Sequence, residues 1–297
     1  MVIADALRIA TERLSASSDT ARLDAELLMA HALGVSRSDL LLRHMREPEP
    51  ESYAALVERR AGHEPVAYIT GEQEFYGRPF RVSPAVLIPR GDSEVLIEAA
   101  LDTGIAQGRV LDLGTGSGAL LLTLLLERPA MEGVGIDASL PAALIAMQNS
   151  LALGVNPEAE LLDGAKGPTD SVAVGKIGRA RIIQSSWRKP GWADTLGRFD
   201  LILCNPPYVE DNAVLTPSVR DHEPASALFA GPEGLDDYRI VIPQLPALLA
   251  RGGVAILEIG HRQAVAVSAI AEAAGFAVSL RKDLGGRDRA IILQKAH

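Results

Sequence analysis

Apolar residues recur every three or four positions through the N-terminal part of the chain, and the period then changes. The opening MVIADALRIATERL reads as an amphipathic helix. Leu23, Leu27 and Ala30 repeat at helical spacing, with Asp19 or Thr20 placed to cap the start and Gly34 to end the helix. Ser36 and Asp39 are spaced as a capping box for a further short helix. Pro50 stands where a first-turn proline would. Tyr53, Leu56 and Val57 line one face of the next helix, and Gly62 closes it. Strand-like alternation is absent before about residue 65.

Residues 71–90, GEQEFYGRPFRVSPAVLIPR, set Phe75, Tyr76, Phe80 and Val82 among Gly71, Gly77, Pro79 and Pro84, which predicts a short hairpin or extended linker. Beyond it, strand and helix signals alternate. Strands are predicted at 109–113, 132–136, 180–184, 199–204, 253–259, 276–282 and 289–294, and helices near 92–103, 117–127, 139–153, 238–249 and 262–274. Such alternation implies an α/β fold: a doubly wound, mostly parallel seven-stranded sheet with helices on both faces. Only Asp283–Asp288, with Gly285 and Gly286, separates the last two strands, so they form an antiparallel hairpin. Residues 154–179 carry Gly154, Pro157, Gly164, Gly167, Pro168, Gly175 and Gly178 without periodicity and read as a long insertion. The expected organisation is a helical domain at 1–70, a hairpin linker at 71–90 and an α/β domain at 91–297.

Composition narrows the partners. Of 297 residues, 47 % are hydrophobic and 23 % charged, enough for a substantial core. The formal net charge of −9 disfavours a long polyphosphate partner, because phosphate neutralisation needs clustered Lys and Arg. The sole cysteine, Cys204, excludes an intrachain disulfide and fits a reducing, cytoplasmic setting. The N-terminus lacks the basic head and apolar run of a secretory signal, and the apolar run Ala119–Leu126 is too short to span a bilayer. The six histidines, including His222 and His261, show no metal spacing.

Two motifs carry chemistry. Asp112-Leu-Gly114-Thr115-Gly116-Ser117-Gly118 follows a predicted strand and precedes a helix. Glycines there allow a tight turn and close ligand approach, and the helix start offers free N–H groups. Asp137 ends the next strand, where a carboxylate can hold ribose hydroxyls. Gly114, Gly116 and Ala119 also satisfy the dinucleotide pattern G-x-G-x-x-A, so a nicotinamide and an S-adenosylmethionine reading both stand on this loop. The acidic Asp112 suits a zwitterionic amino acid and a sulfonium better than a pyrophosphate.

Asn205-Pro206-Pro207-Tyr208 leaves the predicted strand 199–204. Adjacent prolines make a stiff turn whose carbonyls are free to accept. The Asn205 side-chain oxygen and the Pro206 carbonyl can grip the two N–H groups of one planar –NH₂, with Tyr208 against its plane. A carboxamide nitrogen is a poor nucleophile, so aiming it at an electrophile on the neighbouring strand end is the catalysis it needs.

Joined to GID at 135–137, to the stretch 71–90 and to RLDAELLMAHALG at 22–34, these motifs resemble the release-factor glutamine N5-methyltransferases, the HemK/PrmC family, over nearly the whole chain. The resemblance implies a Rossmann-like class I methyltransferase domain behind a helical substrate-recognition domain. It implies S-adenosylmethionine as cofactor and, as substrate, the glutamine amide of a Gly-Gly-Gln motif in peptide chain release factors. It implies a cytoplasmic monomer that touches neither membrane nor nucleic acid directly. Gly114, Thr115, Gly116, Ser117 and Gly118 would line the methionine part, Asp137 would hold the ribose and Trp187 would lie beside the adenine. Asn205 would touch cofactor and substrate, with Pro206, Pro207 and Tyr208 completing the glutamine pocket. Gly91 and Ser93 stand where the family usually has proline and threonine, and Ser186 where an aspartate commonly precedes the tryptophan.

Glutamine methylation of a ribosomal protein would use the same chemistry. N6-adenine methylation shares the NPPY turn but calls for a basic face or target-recognition domain, and the sequence shows neither. A nicotinamide oxidoreductase and a non-catalytic release-factor binder are the other classes. Cys204 reads as a small buried strand residue and Trp192 as packing. Arg90 reads as either a docking cation or a salt bridge, and Glu258 as either pocket lining or a buried hydrogen-bonded acid.

Overall fold

A computed structural model of the chain describes residues 1–160 and 177–296. Part of the expected insertion, 161–176, lies outside the described residues. The described chain divides into two compact units, Met1–Glu72 with Leu215–Glu223, and Gln73–Val214 with Pro224–His297.

The first unit is helical. Helices Ile3–Leu14, Ala21–Leu33, Tyr53–Ala61 and Val66–Thr70 surround a core that includes Leu7, Leu28 and Met29. Gly34 ends the second helix in the left-handed conformation at φ +67°. Ser36 Oγ accepts from the Asp39 N–H at 3.0 Å, the cap its spacing predicts. Thr20 takes the cap position of the second helix, but its hydroxyl donates to Asp24 Oδ1 at 2.9 Å instead of accepting from the helix. Pro50 lies in the turn before Ser52, the N-cap, and its carbonyl accepts from the Tyr53 N–H at 3.1 Å. Buried Asp24 also pairs with Arg60 at 2.7 Å, which ties the second helix to Tyr53–Ala61.

The second unit opens with the hairpin β1 (Glu72–Phe75) and β2 (Arg78–Arg81). Tyr76 and Gly77 both have positive φ, the twist that a two-residue hairpin turn needs. Among the described residues, its main sheet has eight strands: β3 (Gly108–Leu113), β4 (Met131–Asp137), β5 (Val155–Glu160), β6 (Ile177–Gln184), β7 (Phe199–Cys204), β8 (Leu249–Glu258), β9 (Phe276–Lys282) and β10 (Asp288–Lys295). Their spatial order is β5-β6-β4-β3-β7-β8-β10-β9. Pairings from β5 to β8 are parallel, and β10 is antiparallel to both β8 and β9. This is one strand more than the seven expected. The extra strand, β5, lies inside the stretch read as insertion, where Pro157 and the polar Asn156, Glu158 and Glu160 hide it from a periodicity test.

Both faces of the sheet are covered, and the strand residues alternate between them. Val110, Leu201, Leu203, Val254 and Ile256 pack with residues of helices Glu94–Asp102, Ala119–Glu127 and Leu140–Ala152. Leu111, Leu113, Ile202, Cys204, Ala255 and Leu257 pack on the other face with Leu235–Leu248 and helix Ala264–Ala273. A strand buried on both sides is apolar at nearly every position, which is why these strands read as continuous runs. Gly133 lets helix Ala119–Glu127 lie close on β4, since a Cβ there would sit 2.7 Å from Leu121. The helix expected over 238–249 is broken into Asp236–Val241, a 3₁₀ turn and Leu245–Leu248, because Pro243 and Pro246 cannot donate within it. Among the described residues, no helix is long and apolar enough to cross a membrane.

Candidate active site

From β3 the chain adds strands on one side, then returns to place β7 on the other. The direction reverses between β3 and β7, and open parallel sheets bind ligands beyond the strand ends at such a switch point. In register, Asp112 pairs with Gly135 and Leu203, and Leu113 pairs with Ile136 and Cys204. The loops after β3, β4 and β7 therefore leave the sheet side by side. A cavity of about 370 Å³ opens there, within the size range of small-ligand sites. Gly114, Thr115, Gly116, Ser117, Asp137, Trp187, Asn205 and Pro207 line it.

The glycine loop is folded back onto β4. The N–H groups of Gly114 and Thr115 donate to the Ile136 carbonyl at 2.9 and 2.8 Å, which curls the chain. Gly114 and Gly116 hold φ at +75° and +55°, where a side chain would be strained. The loop N–H of Gly116 donates to Asp137 Oδ2 at 2.9 Å, and Ser139 N–H donates to Asp137 Oδ1 at 2.8 Å. Burial pushes the Asp137 carboxyl up, against the pull of these two donors. Each of its oxygens keeps a further lone pair for a ligand hydroxyl. Gly118 stands behind the loop as the helix N-cap, near Leu122 and Ala146.

Asp112 is buried at the base of the loop and borders the cavity. Thr115 Oγ1 donates to its Oδ2 at 2.7 Å, while Oδ1 has no hydrogen-bond partner. Burial pushes this carboxyl up to about 7, and Asp137 adds to this, against the pull of the Thr115 hydroxyl and the Leu121 N–H. An unpartnered buried carboxylate oxygen at a ligand cavity is a place for a cationic donor.

Trp187 stands over the loop: a Cβ on Gly114 would lie 3.2 Å from its ring. Its Nε1–H donates to buried Asp237 Oδ1 at 2.9 Å, and Arg188 donates to the same oxygen at 2.8 Å. Asp237 thus holds the ring edge, a role with no local signal in the sequence. Asn149 is another support the sequence did not mark. It accepts from the Arg81 N–H and donates to the carbonyls of Arg81 and Ser117, tying β2 to the glycine loop.

The NPPY turn closes the opposite wall. Pro206 and Pro207 are buried, Asn205 and Tyr208 half-buried. Asn205 and Pro207 line the cavity, and Pro206 and Tyr208 are not among its lining residues. Downstream, Val209 is anchored by backbone bonds to Leu228 and Ala230, and Gln263 donates to the Tyr208 carbonyl at 3.0 Å. Asn205 Nδ2 reaches Ser93 Oγ at 3.4 Å, and Tyr208 donates its hydroxyl to Glu258 Oε1 at 3.0 Å. Burial pushes the Tyr208 phenol up, and the Glu258 carboxylate adds to this. It stays protonated at neutral pH. Glu258 is a buried hydrogen-bonded acid, the second of its two readings. Arg90 lies within electrostatic reach of Tyr208. Cys204 is buried and burial raises its thiol well above the ordinary range, so it is a packing residue. Trp192 donates to Gln244 Oε1 at 2.6 Å.

Known proteins fit this arrangement. Residues 5–71 match the family described as the PrmC N-terminal domain. The chain is 44 % identical to the release factor glutamine methyltransferase of Cereibacter sphaeroides, covering 98 % of each chain. It is 38 % identical to the protein of the same name from Vibrio cholerae, over 99 % of this chain and 97 % of that one. A methyltransferase from Pyrococcus furiosus, 16 % identical, superposes with a TM-score of 0.50 over 75 % of this chain and 91 % of its own, and shares the fold. At this identity over nearly its full length, the chain belongs to the release factor glutamine methyltransferase family.

Proposed function

We propose that the chain transfers a methyl group from S-adenosylmethionine to the side-chain amide nitrogen of glutamine in the Gly-Gly-Gln motif of a peptide chain release factor. The observation that carries this is one cavity with two walls. The glycine loop and Asp112 form one, and Asn205 with Pro207 forms the other. S-adenosylmethionine, when bound, would supply an electrophilic methyl group: its sulfur–methyl bond breaks as the nitrogen–methyl bond forms, and the surplus proton on nitrogen passes to water. The site's donors and acceptors suit it: Asp112, with Oδ1 unpartnered, would hold its ammonium group, Asp137 its ribose hydroxyls, and Trp187 its adenine. Gly114 to Ser117 leave room for its methionine backbone, with Gly118 turning the chain behind them. A nicotinamide dinucleotide would set a pyrophosphate against Asp112, which is unfavourable.

On the substrate side, Asn205 Oδ1 and the Pro206 carbonyl accept the two N–H bonds of the glutamine amide. Pro206 and Pro207 keep the turn stiff, so the nitrogen is held in one orientation without loss of chain freedom at each turnover. Tyr208 lies against the amide plane. With its phenol held protonated, it supplies a π face and not a base. The helical segment 1–70 recognises the release factor, 71–90 links it to the catalytic domain at 91–297, and the enzyme works as a monomer in the cytoplasm.

Incubation with radiolabelled S-adenosylmethionine and a release factor labels the release factor, and a Gln→Ala change in its Gly-Gly-Gln motif removes the label. Label that persists in that mutant, or that appears only on ribosomal protein or nucleic acid, overturns the proposal.

A further inference from the structure

Beside the NPPY turn lies a hydrogen-bond chain in which Ser93 borders the cavity and Glu258 does not. Ser93 precedes helix Glu94–Asp102, and Glu258 ends β8; both are buried. Ser93 Oγ donates to Glu258 Oε2 at 2.5 Å, and Tyr208 donates to Oε1 at 3.0 Å. The Glu258 carbonyl accepts from Tyr238 at 2.7 Å, which fixes the strand end. Arg289, held by Asp92 at 3.0 Å and Asp283 at 3.4 Å, favours the ionised carboxylate.

We propose that Glu258 and Ser93 are positioning residues that set which end of the Asn205 amide faces the substrate and that enrich the Tyr208 ring. An ionised carboxylate can only accept, so the hydroxyls of Ser93 and Tyr208 must both donate to it. With its proton spent, Ser93 Oγ has only lone pairs left to offer. Asn205 can meet it only through Nδ2, and does so at 3.4 Å. Oδ1 is thereby turned the other way, as an acceptor for the N–H of the incoming amide. A reversed Asn205 would present –NH₂ to –NH₂, two donors in conflict. On the other branch, donation to a carboxylate makes the Tyr208 ring more electron-rich. The positive charge that grows on an amide nitrogen as it is methylated is then better stabilised.

The polarity of the chain depends on Glu258 being ionised. Protonated, it would donate to one hydroxyl and release the direction of the other. Burial pushes its carboxyl above the usual range, opposed by Ser93, Arg289 and Tyr208, while Asp92 pushes the same way as burial. The titratable groups packed around it are Arg289 on β10, Tyr208 on the turn, Asp92 ahead of its helix, Tyr238 on helix Asp236–Val241 and Cys204 on β7. With the cofactor saturating, so that Asp112 protonation does not enter, kcat therefore carries a low-pH limb set by Glu258.

This inference rests on the proposed methyl transfer, and the test separates the two. Full-length wild type, Ser93→Ala, Ser93→Thr and Glu258→Gln are assayed for kcat and KM on a release factor, for cofactor affinity by calorimetry and for thermal midpoint. Ser93→Ala and Glu258→Gln are expected to lower kcat roughly tenfold or more, with cofactor affinity changed no more than about threefold. Ser93→Thr, which keeps the hydroxyl, recovers most of kcat. Glu258→Gln abolishes the low-pH limb. Wild type that labels no release factor overturns the activity and the relay with it. Active wild type with an unimpaired Ser93→Ala, or with a loss that Ser93→Thr does not restore, overturns the relay alone. So does a Glu258→Gln enzyme that keeps the limb, and if that variant does not fold the serine pair decides.

Discussion

Asp112 offers a quantitative test of how the cofactor wall is built. Its carboxyl binds a proton up to about pH 7 in the folded chain, against an ordinary value of 3.8. The folded state therefore holds more protons than the unfolded state between these values, and stability falls as pH rises through this window. About three pKa units at 1.36 kcal/mol each set the full cost of ionising it in the fold at roughly 4 kcal/mol. About 2 kcal/mol of that falls between pH 5 and pH 7. Asp112→Asn removes the titration. Its carbonyl can still accept from Thr115, but its –NH₂ takes the place of an oxygen with no partner, a fixed cost of about 1–3 kcal/mol. The ligand-free variant is thus less stable than wild type at pH 5 and equal or more stable at pH 8. The difference should move by roughly 2–3 kcal/mol, a shift of several degrees in thermal midpoint. Adding S-adenosylmethionine at pH 8 reverses the order, because only the carboxylate can pair with its ammonium group, and affinity in the variant drops at least tenfold. Thermal melts from pH 5 to 8.5, with and without cofactor, and calorimetry in two buffers to count released protons, measure both effects. Parallel pH profiles for the two proteins, or equal cofactor affinities, would refute the reasoning.

Gly114→Ala, at φ +75° and 3.2 Å from the Trp187 ring, should cost about 1–2 kcal/mol of stability and weaken cofactor binding by calorimetry. Asp237→Ala unhooks the Trp187 ring and should raise the cofactor dissociation constant by about tenfold, with a changed tryptophan emission, while leaving KM for the release factor nearly unaltered. Asp24→Ala strands buried Arg60 and should destabilise the first unit by about 3–5 kcal/mol in urea titrations, whereas Arg8→Ala, an exposed pair with Glu12, should change little.

Much of this architecture was legible from local patterns. The Gly34 stop, the Ser36 cap, the hairpin at 72–81 and seven of the eight strands each depend on a few neighbouring residues. So does the juxtaposition of glycine loop and NPPY turn, once a doubly wound sheet is accepted: both motifs end strands, and strand ends in such a sheet gather at one edge. The strand β5 does not show in the sequence because Asn156, Pro157, Glu158 and Glu160 leave it without an apolar run, so its sheet pairing comes from β6 and not from its own periodicity.

The supports of the site were settled by tertiary structure alone. Ser93 and Glu258 are 165 positions apart, and Trp187 and Asp237 are 50 apart. No spacing rule links such residues, because their meeting depends on sheet order and on which helix covers which face. The same holds for the state of Asp112: the chain shows an acid before a glycine loop, but only the packed fold removes water from it and leaves one oxygen without a partner. Sequence by itself determined which chemical groups this protein has and on which strand ends they stand. The fold decided which of them are dry, which are paired and which way each hydrogen bond runs, since desolvation and direction arise only between segments that are distant along the chain.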